Sequence, residues 1–366
     1  EAIIEKADIN NLPQDSAKAL NANSDVAVVA HDKTFLSAHT GTLAVAVSKT
    51  VSLAGAAAAD NNKFDRNVTA KIAGQDNTHR STLKAQDVVV AASSESDILV
   101  TESGVGVAVT GFGGYTPAVA LNANGSVNKF IGRLTSEVDS VNAYLNTLEL
   151  DTERAEKVQM YDNTADVAVG KIAAGISVSV RDTDEIDVVQ ANLANSTITK
   201  AQYGAATNSD VSHVKLQADN NTKVKGEIGQ FAANIGLGGG VGVMVDSLAI
   251  HNTSAVNLNN AIIGAENNRF GDFTTLAANN FRADLTNIDG AVELGKIGVA
   301  VMTNKLHSDV YNIIKDTTVF ANDISINNKD YRKLEQLAVE ATVSVGAINV
   351  SVAITKGNTD VSGSYS

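Results

Sequence analysis

Cysteine and tryptophan are absent from this 366-residue chain, proline occurs twice, and aromatic side chains make up 4% of it. The lack of cysteine excludes disulfides, thiolate metal ligands and a thiol nucleophile. It also favours a protein exported through a narrow secretion pore, where cross-links hinder passage. Scarce aromatics leave little volume for a thick two-layer enzyme core and few flat surfaces for stacking on sugars. Positive charge is short as well: 28 Lys and Arg stand against 41 Asp and Glu, a net charge of −13. No basic stripe exists to neutralise phosphates, which excludes nucleic acid as a partner and disfavours an anionic membrane surface. No run is apolar for long enough to span a bilayer; Ile235 to Val245 is too short and too rich in glycine. Glu1 to Lys6 has neither the basic start nor the apolar segment of a signal peptide, so the chain reads as a processed piece of something larger.

What remains is small, branched and amidated. Hydrophobic residues reach 44%, mostly Ala, Val, Ile and Leu, and there are 28 Gly and 36 Asn. Six runs alternate a β-branched or leucine residue with Gly, Ala or Ser: Leu43–Val47, Gly104–Val109, Gly175–Val180, Gly240–Val245, Gly298–Val301 and Gly346–Val352. Successive side chains of a strand point to opposite faces, so each run has one Val/Ile face and one nearly bare face. A bare face suits either close approach of two backbones or a flat exterior, and its repetition is the mark of a solenoid.

The order of elements supports that reading. Each unit opens with a polar strand, as at Asp87–Ala91 and Val214–Ala218, and passes a polar turn such as Asp162–Thr164 or Asp219–Thr222. The valine run follows, then an Asn-rich stretch such as Ala191–Ala201 or Thr317–Ile326. Asn61–Lys63 also reads as a turn. The distance between valine runs falls from roughly seventy residues to roughly fifty. A coil of some twenty residues then predicts two or three coils per unit. The expected fold is all-β, a right-handed parallel β-helix with irregular loop insertions, forming one domain over residues 1–366. Asn at the corners has a physical reason, since it tolerates left-handed backbone and stacks into amide ladders. Leu148–Lys157 and Asp330–Leu337 read as short helices or charged loops, and Pro13–Leu20 as a short helix or turn.

The segment Gly175–Ala201, with weaker echoes at Gly104–Ile131 and Gly298–Ile326, resembles the repeats of large bacterial exoproteins. The group is the leukotoxin-like filamentous adhesins, akin to filamentous haemagglutinin. The resemblance implies a right-handed parallel β-helix, secretion, a cell-surface stalk, and adhesion or toxicity.

Chemistry is sparse. Asp182, Asp184 and Asp187, with Glu185, offer carboxylates within six residues, a weak Ca²⁺ candidate whose plainer reading is a solvated acidic corner. No other cofactor is expected. Gly236–Gly242 lacks the Lys-Ser/Thr of a phosphate loop and the Asp of a calcium repeat, which leaves close strand packing. The six histidines, His31, His39, His79, His213, His251 and His307, are scattered and none has a ligand spacing. Sequons at Asn67, Asn124, Asn195, Asn220, Asn252 and Asn349 read as products of composition. The expected function is therefore structural and adhesive, in an extracellular or cell-surface setting. Its partners would be a host or bacterial surface receptor, or another copy joined end to end. A self-assembling fibre or surface-layer subunit is the second reading. A β-helix polysaccharide lyase or hydrolase using Asp182, Asp184, Asp187 and Arg181 is the third.

Overall fold

A computed structural model describes residues 2–6, 8–9, 26–65, 69–110, 117–132, 156–169, 172–201, 212–235, 240–293, 296–344 and 348–365. Among them there is no helix. The first strands are β1 (Ala2–Glu5), β2 (Asp8–Ile9), β3 (Val26–Ser48), β4 (Ser52–Asp65), β5 (Thr69–Ala73) and β6 (Ser81–Ala85). Next come β7 (Val88–Thr110), β8 (Pro117–Gly132), β9 (Glu156–Val169), β10 (Ile172–Lys200), β11 (His213–Ile235) and β12 (Gly240–Ile263). The last are β13 (Phe270–Glu293), β14 (Lys296–Lys315), β15 (Thr318–Val319), β16 (Ala321–Ser344) and β17 (Ile348–Tyr365).

From β7 onward the long strands alternate between two sheets. The larger follows β1-β5-β10-β12-β14-β17, with β2, β4, β6, β8 and β15 joined to it; the smaller follows β16-β13-β11-β9-β7-β3. All ladders between named strands are parallel, so the β-branched and Asn-rich sequences pair with later copies of themselves. Partners on successive passages are 65 residues apart at Gly175 and Gly240, 56 at Gly240 and Lys296, and 51 at Ile297 and Ile348. One unit is therefore a single circuit with one long strand in each sheet. The expectation of two or three short coils per unit does not hold.

The same long strands overturn three expected turns and one expected helix. Asn61–Lys63 lies inside β4, Asp162–Thr164 inside β9 and Asp219–Thr222 inside β11. In β11 register stacks these polar residues on polar partners, as Asn220 on Asn279 and Asn279 on Asp330. Asp330–Leu337 is part of β16 and pairs with Asn279–Thr286. Its charges pair two apart, Arg332 with Asp330 at 3.2 Å on one face of the strand and Lys333 with Glu335 at 2.5 Å on the other, instead of four apart on a helix. Most of Leu148–Lys157, and all of Pro13–Leu20, lie outside the described residues; Glu156 and Lys157 open β9.

The valine runs form two ladders, not one. Ile176, Val241, Ile297 and Ile348 stack in the larger sheet, as do Val178, Val243, Val299 and Val350. Leu43 stacks on Val105 in the smaller sheet, and Val45 on Val107. Their orientation is the reverse of an ordinary core strand. Ile176, Val180 and Val241 are 40%, 41% and 38% exposed, while Gly175, Gly240 and Gly242 are buried. The interior along this edge is lined by Ala54, Ala108, Ala118, Ala120, Ala168 and Ala173. Bare faces thus meet bare faces, and the two sheets lie close.

Toward the other edge the interior thickens. A main cluster holds Ile72, Leu83, Leu193, Leu258, Ile263, Phe270 and Phe273, all essentially inaccessible. Between thin and thick zones runs a polar column: Asp187, Asn252 and Ser308 on one sheet face Asn220, Asn279 and Asp330 on the other. Asn279 Nδ2 donates to Ser308 Oγ at 2.7 Å and to the Asn252 carbonyl at 3.1 Å; Ser308 Oγ donates to Asp330 Oδ1 at 2.9 Å.

Asn195 and Asn260 mark the corner, both left-handed at φ 44° and 53°. Asn260 Nδ2 donates to Asn195 Oδ1 at 2.6 Å, and three residues earlier on the same two strands Asn257 Nδ2 donates to Asn192 Oδ1 at 2.8 Å. Both roles expected of asparagine are present. The Arg80 guanidinium closes the corner from the layer below, donating to the Asn260 carbonyl at 3.0 Å. Gly264, at φ +75°, turns the chain beyond it where a Cβ would lie 2.4 Å from the Phe320 carbonyl.

One layer is only half as wide as its neighbours. Ile172–Asp187 of β10 rest on β8, but Gln190–Ala194 rest directly on β5 and Ser196–Lys200 on β6. The smaller sheet matches: Thr222–Ile235 of β11 pair with β9, whereas Val214–Ala218 pair with β7. The β8–β9 circuit therefore wedges an extra layer into the thin side of the stack alone.

Candidate functional site

Register brings together on the outer face what sequence spacing kept apart. His251 of β12 is the direct partner of His307 of β14. Asp309 lies two residues beyond His307, hence on the same face. His251 Nε2 is 3.0 Å and His307 Nε2 3.1 Å from the same oxygen, Asp309 Oδ2. The two rings meet edge to face with centroids 4.2 Å apart and planes at 80°. Their side chains are 46% and 31% exposed, and that of Asp309 25%. Among the described residues this is the one group of three ligand-type side chains whose donor atoms converge. In chemical terms it holds two imidazole nitrogens and a carboxylate oxygen, at the edge of solvent. The available signal was the 56-residue separation of the two histidines, which equals the circuit length from Gly240 to Lys296.

The other histidines are placed singly. His39 bonds Ser37, His79 bonds Asp76 within a tight turn, and His213 bonds Asp272. Nothing is described of the His31 side chain.

The acidic segment does not gather on one face. Asp182 and Asp184 point outward, whereas Asp187 is 1% exposed and points inward, where Thr222 Oγ1 donates to it at 3.4 Å. A strand alternates its side chains, so residues 182 and 187 fall on opposite sides. Arg181 is interior too: Nε and Nη2 donate to Asp246 Oδ1 and Oδ2 at 3.0 and 2.8 Å, with both side chains at 0–1% exposure. The four residues named for a glycan-cleaving site are thus divided between interior and surface. Of the glycine run, residues 236–239 lie outside the described residues, and Gly240 and Gly242 face inward. Two sequon asparagines, Asn220 and Asn252, are 0% and 1% exposed, closed to a glycan in the folded chain.

Lys215 is the one ammonium among the described residues whose titration is strongly displaced. It is 2% exposed, and burial lowers its pKa to about 8, with the Asp219 carboxylate pulling the other way.

Comparison of the chain with family models, with curated proteins and with solved structures finds no match in any of the three.

Proposed function

We propose that this chain is a β-solenoid segment, wound as a right-handed parallel β-helix, that serves as structural support and contact surface in a secreted or cell-surface protein. The observation that carries this reading is the register, in which successive circuits superimpose residue on residue along whole strands, as over Gly175–Leu193 on Gly240–Leu258. Bending such a stack breaks parallel ladders in two sheets together, which makes it stiff.

Dimensions refine the role. Six layers, β4, β8, β10, β12, β14 and β17, stack along the thin side of the larger sheet. At about 4.8 Å per layer they rise roughly 29 Å, whereas a 23-residue strand has a contour of roughly 75 Å. The described layers are few against the length of the strands that form them. A stalk therefore needs further layers, from the same chain or another copy. The outermost strands β3, β4, β16 and β17 each have one lateral partner among the described residues, and an open parallel edge accepts another strand. That edge supports the fibre reading as the second choice. Contact with a receptor rests on the outer valine face, where Leu43, Val45 and Val47 are 60–76% exposed.

Size exclusion with negative-stain microscopy tests this. Plate-like monomers, or filaments of stacked plates whose diffraction repeats at about 4.8 Å along the axis, are expected. Round particles without that repeat refute the proposal.

A further inference from the structure

We propose that His251, His307 and Asp309 bind a late first-row divalent cation of the Zn²⁺ class, held between the neighbouring circuits β12 and β14. The donors already converge, since both Nε2 atoms lie 3.0–3.1 Å from one Asp309 oxygen and all three ligand atoms fall within 4.8 Å of each other. Ligands held about 2.0–2.2 Å from Zn²⁺ are separated by roughly 3.0–3.5 Å in octahedral to tetrahedral arrangements. The nitrogen–oxygen separations match that range, and small rotations of the imidazoles complete the fit. The backbone fixes the rest. Register partners on parallel strands sit about 4.8 Å apart, and the i, i+2 step from His307 to Asp309 keeps the carboxylate on their side.

The donor set decides which cation. Ca²⁺ and Mg²⁺ take six or more oxygens, and two imidazoles serve them poorly. Imidazole with carboxylate suits Zn²⁺, Ni²⁺ and Cu²⁺. This site is distinct from the acidic segment at Asp182–Asp187. Three protein donors leave the remaining coordination to water, and the partial exposure of all three gives the ion access. A bound ion would also clasp one circuit to the next, and any ligand that binds only the folded chain stabilises it by mass action.

Isothermal titration of ZnCl₂ into the chelator-treated full chain tests the assignment, with the visible absorption of Co²⁺ as a second readout. One ion per chain is expected, together with a rise in melting temperature. His307→Ala and Asp309→Asn should each weaken binding by about tenfold or more, and His251→Ala with His307→Ala should abolish it. His39→Ala should change nothing, and Ca²⁺ should give no binding heat. Circular dichroism confirms that each variant is folded; Asp309→Asn keeps the size of the side chain and guards against misreading a folding defect. The proposal is overturned if the wild type takes up no Zn²⁺ at roughly 100 µM. It is equally overturned if the double histidine variant binds like the wild type.

Discussion

Arg181→Ala is expected to lower the free energy of unfolding by about 3–5 kcal/mol, the cost of stranding one charge of a buried pair. Arg181 and Asp246 are register partners on β10 and β12, both pointing inward, and they meet through two hydrogen bonds at 2.8 and 3.0 Å. Nη1 also donates to the Glu227 carbonyl at 3.4 Å on the opposite sheet. The space for the guanidinium comes from Gly226: a Cβ there would lie 2.7 Å from Nη2. Removing the arginine leaves the Asp246 carboxylate in an apolar zone beside Leu248, Leu285 and Met302. Replacing both charges reverses the expectation. The next circuit already has Met302 in register with Asp246, so the strand tolerates an apolar side chain at this level. Arg181→Met with Asp246→Leu should therefore stay within about 1 kcal/mol of the wild type, because buried pairs replaced by apolar volume are often neutral. Urea unfolding of the three proteins measures this. A loss below about 1 kcal/mol in Arg181→Ala would mean that the pair is solvated in solution.

The second large effect concerns pH. With its folded pKa near 8 against the ordinary value of 10.5, the Lys215 ammonium is disfavoured in the folded chain. Below about pH 8 both folded and unfolded chains carry the proton, and the full cost of burying the charge is present. Between about 8 and 10.5 the unfolded chain binds more protons than the folded one, so stability rises with pH across that window. Above it both forms are neutral and the cost is gone. At about 1.4 kcal/mol per unit the rise amounts to at most about 3–4 kcal/mol. The informative quantity is the difference between a variant lacking this ammonium and the wild type, which isolates Lys215. Lys215→Met should be more stable than the wild type at pH 7, and the gap should close toward pH 10.5. Parallel stability profiles for the two proteins would contradict the buried charge.

The all-strand character and the parallel repetition were legible in the alternating runs, because period two is a property of the backbone itself. The asparagine corner was legible for a similar reason: Asn195 and Asn260 hold a conformation that few residues tolerate. The length of a circuit was not. Asn220 and Asn163 look like turn residues in isolation, and only pairing with the next circuit makes a strand of them. Alternation also fails to say which face is inside. Ile176 and Val241 are outside because Gly175, Gly240 and the interior alanines let the sheets close behind them, a fact about the opposite sheet. The histidine pair was hidden for the same reason, since it exists only once the 56-residue register is known. The half-width β8–β9 layer leaves no local mark at all: its evidence is that β10 changes partner between Asp187 and Gln190.

The fold, the histidine pair and the buried ion pair all depend on successive circuits lying in register in one parallel sheet, and engineered cysteines test that most directly because the chain has none of its own. Val243→Cys with Val299→Cys places two thiols at partner positions on the outer face, about 4.8 Å apart at Cα and within the span of a disulfide. Oxidation should join them rapidly within one chain, whereas Val243→Cys with Val339→Cys, on different sheets, should stay reduced. Equal cross-linking of the two pairs, or none in the first, would contradict the stack.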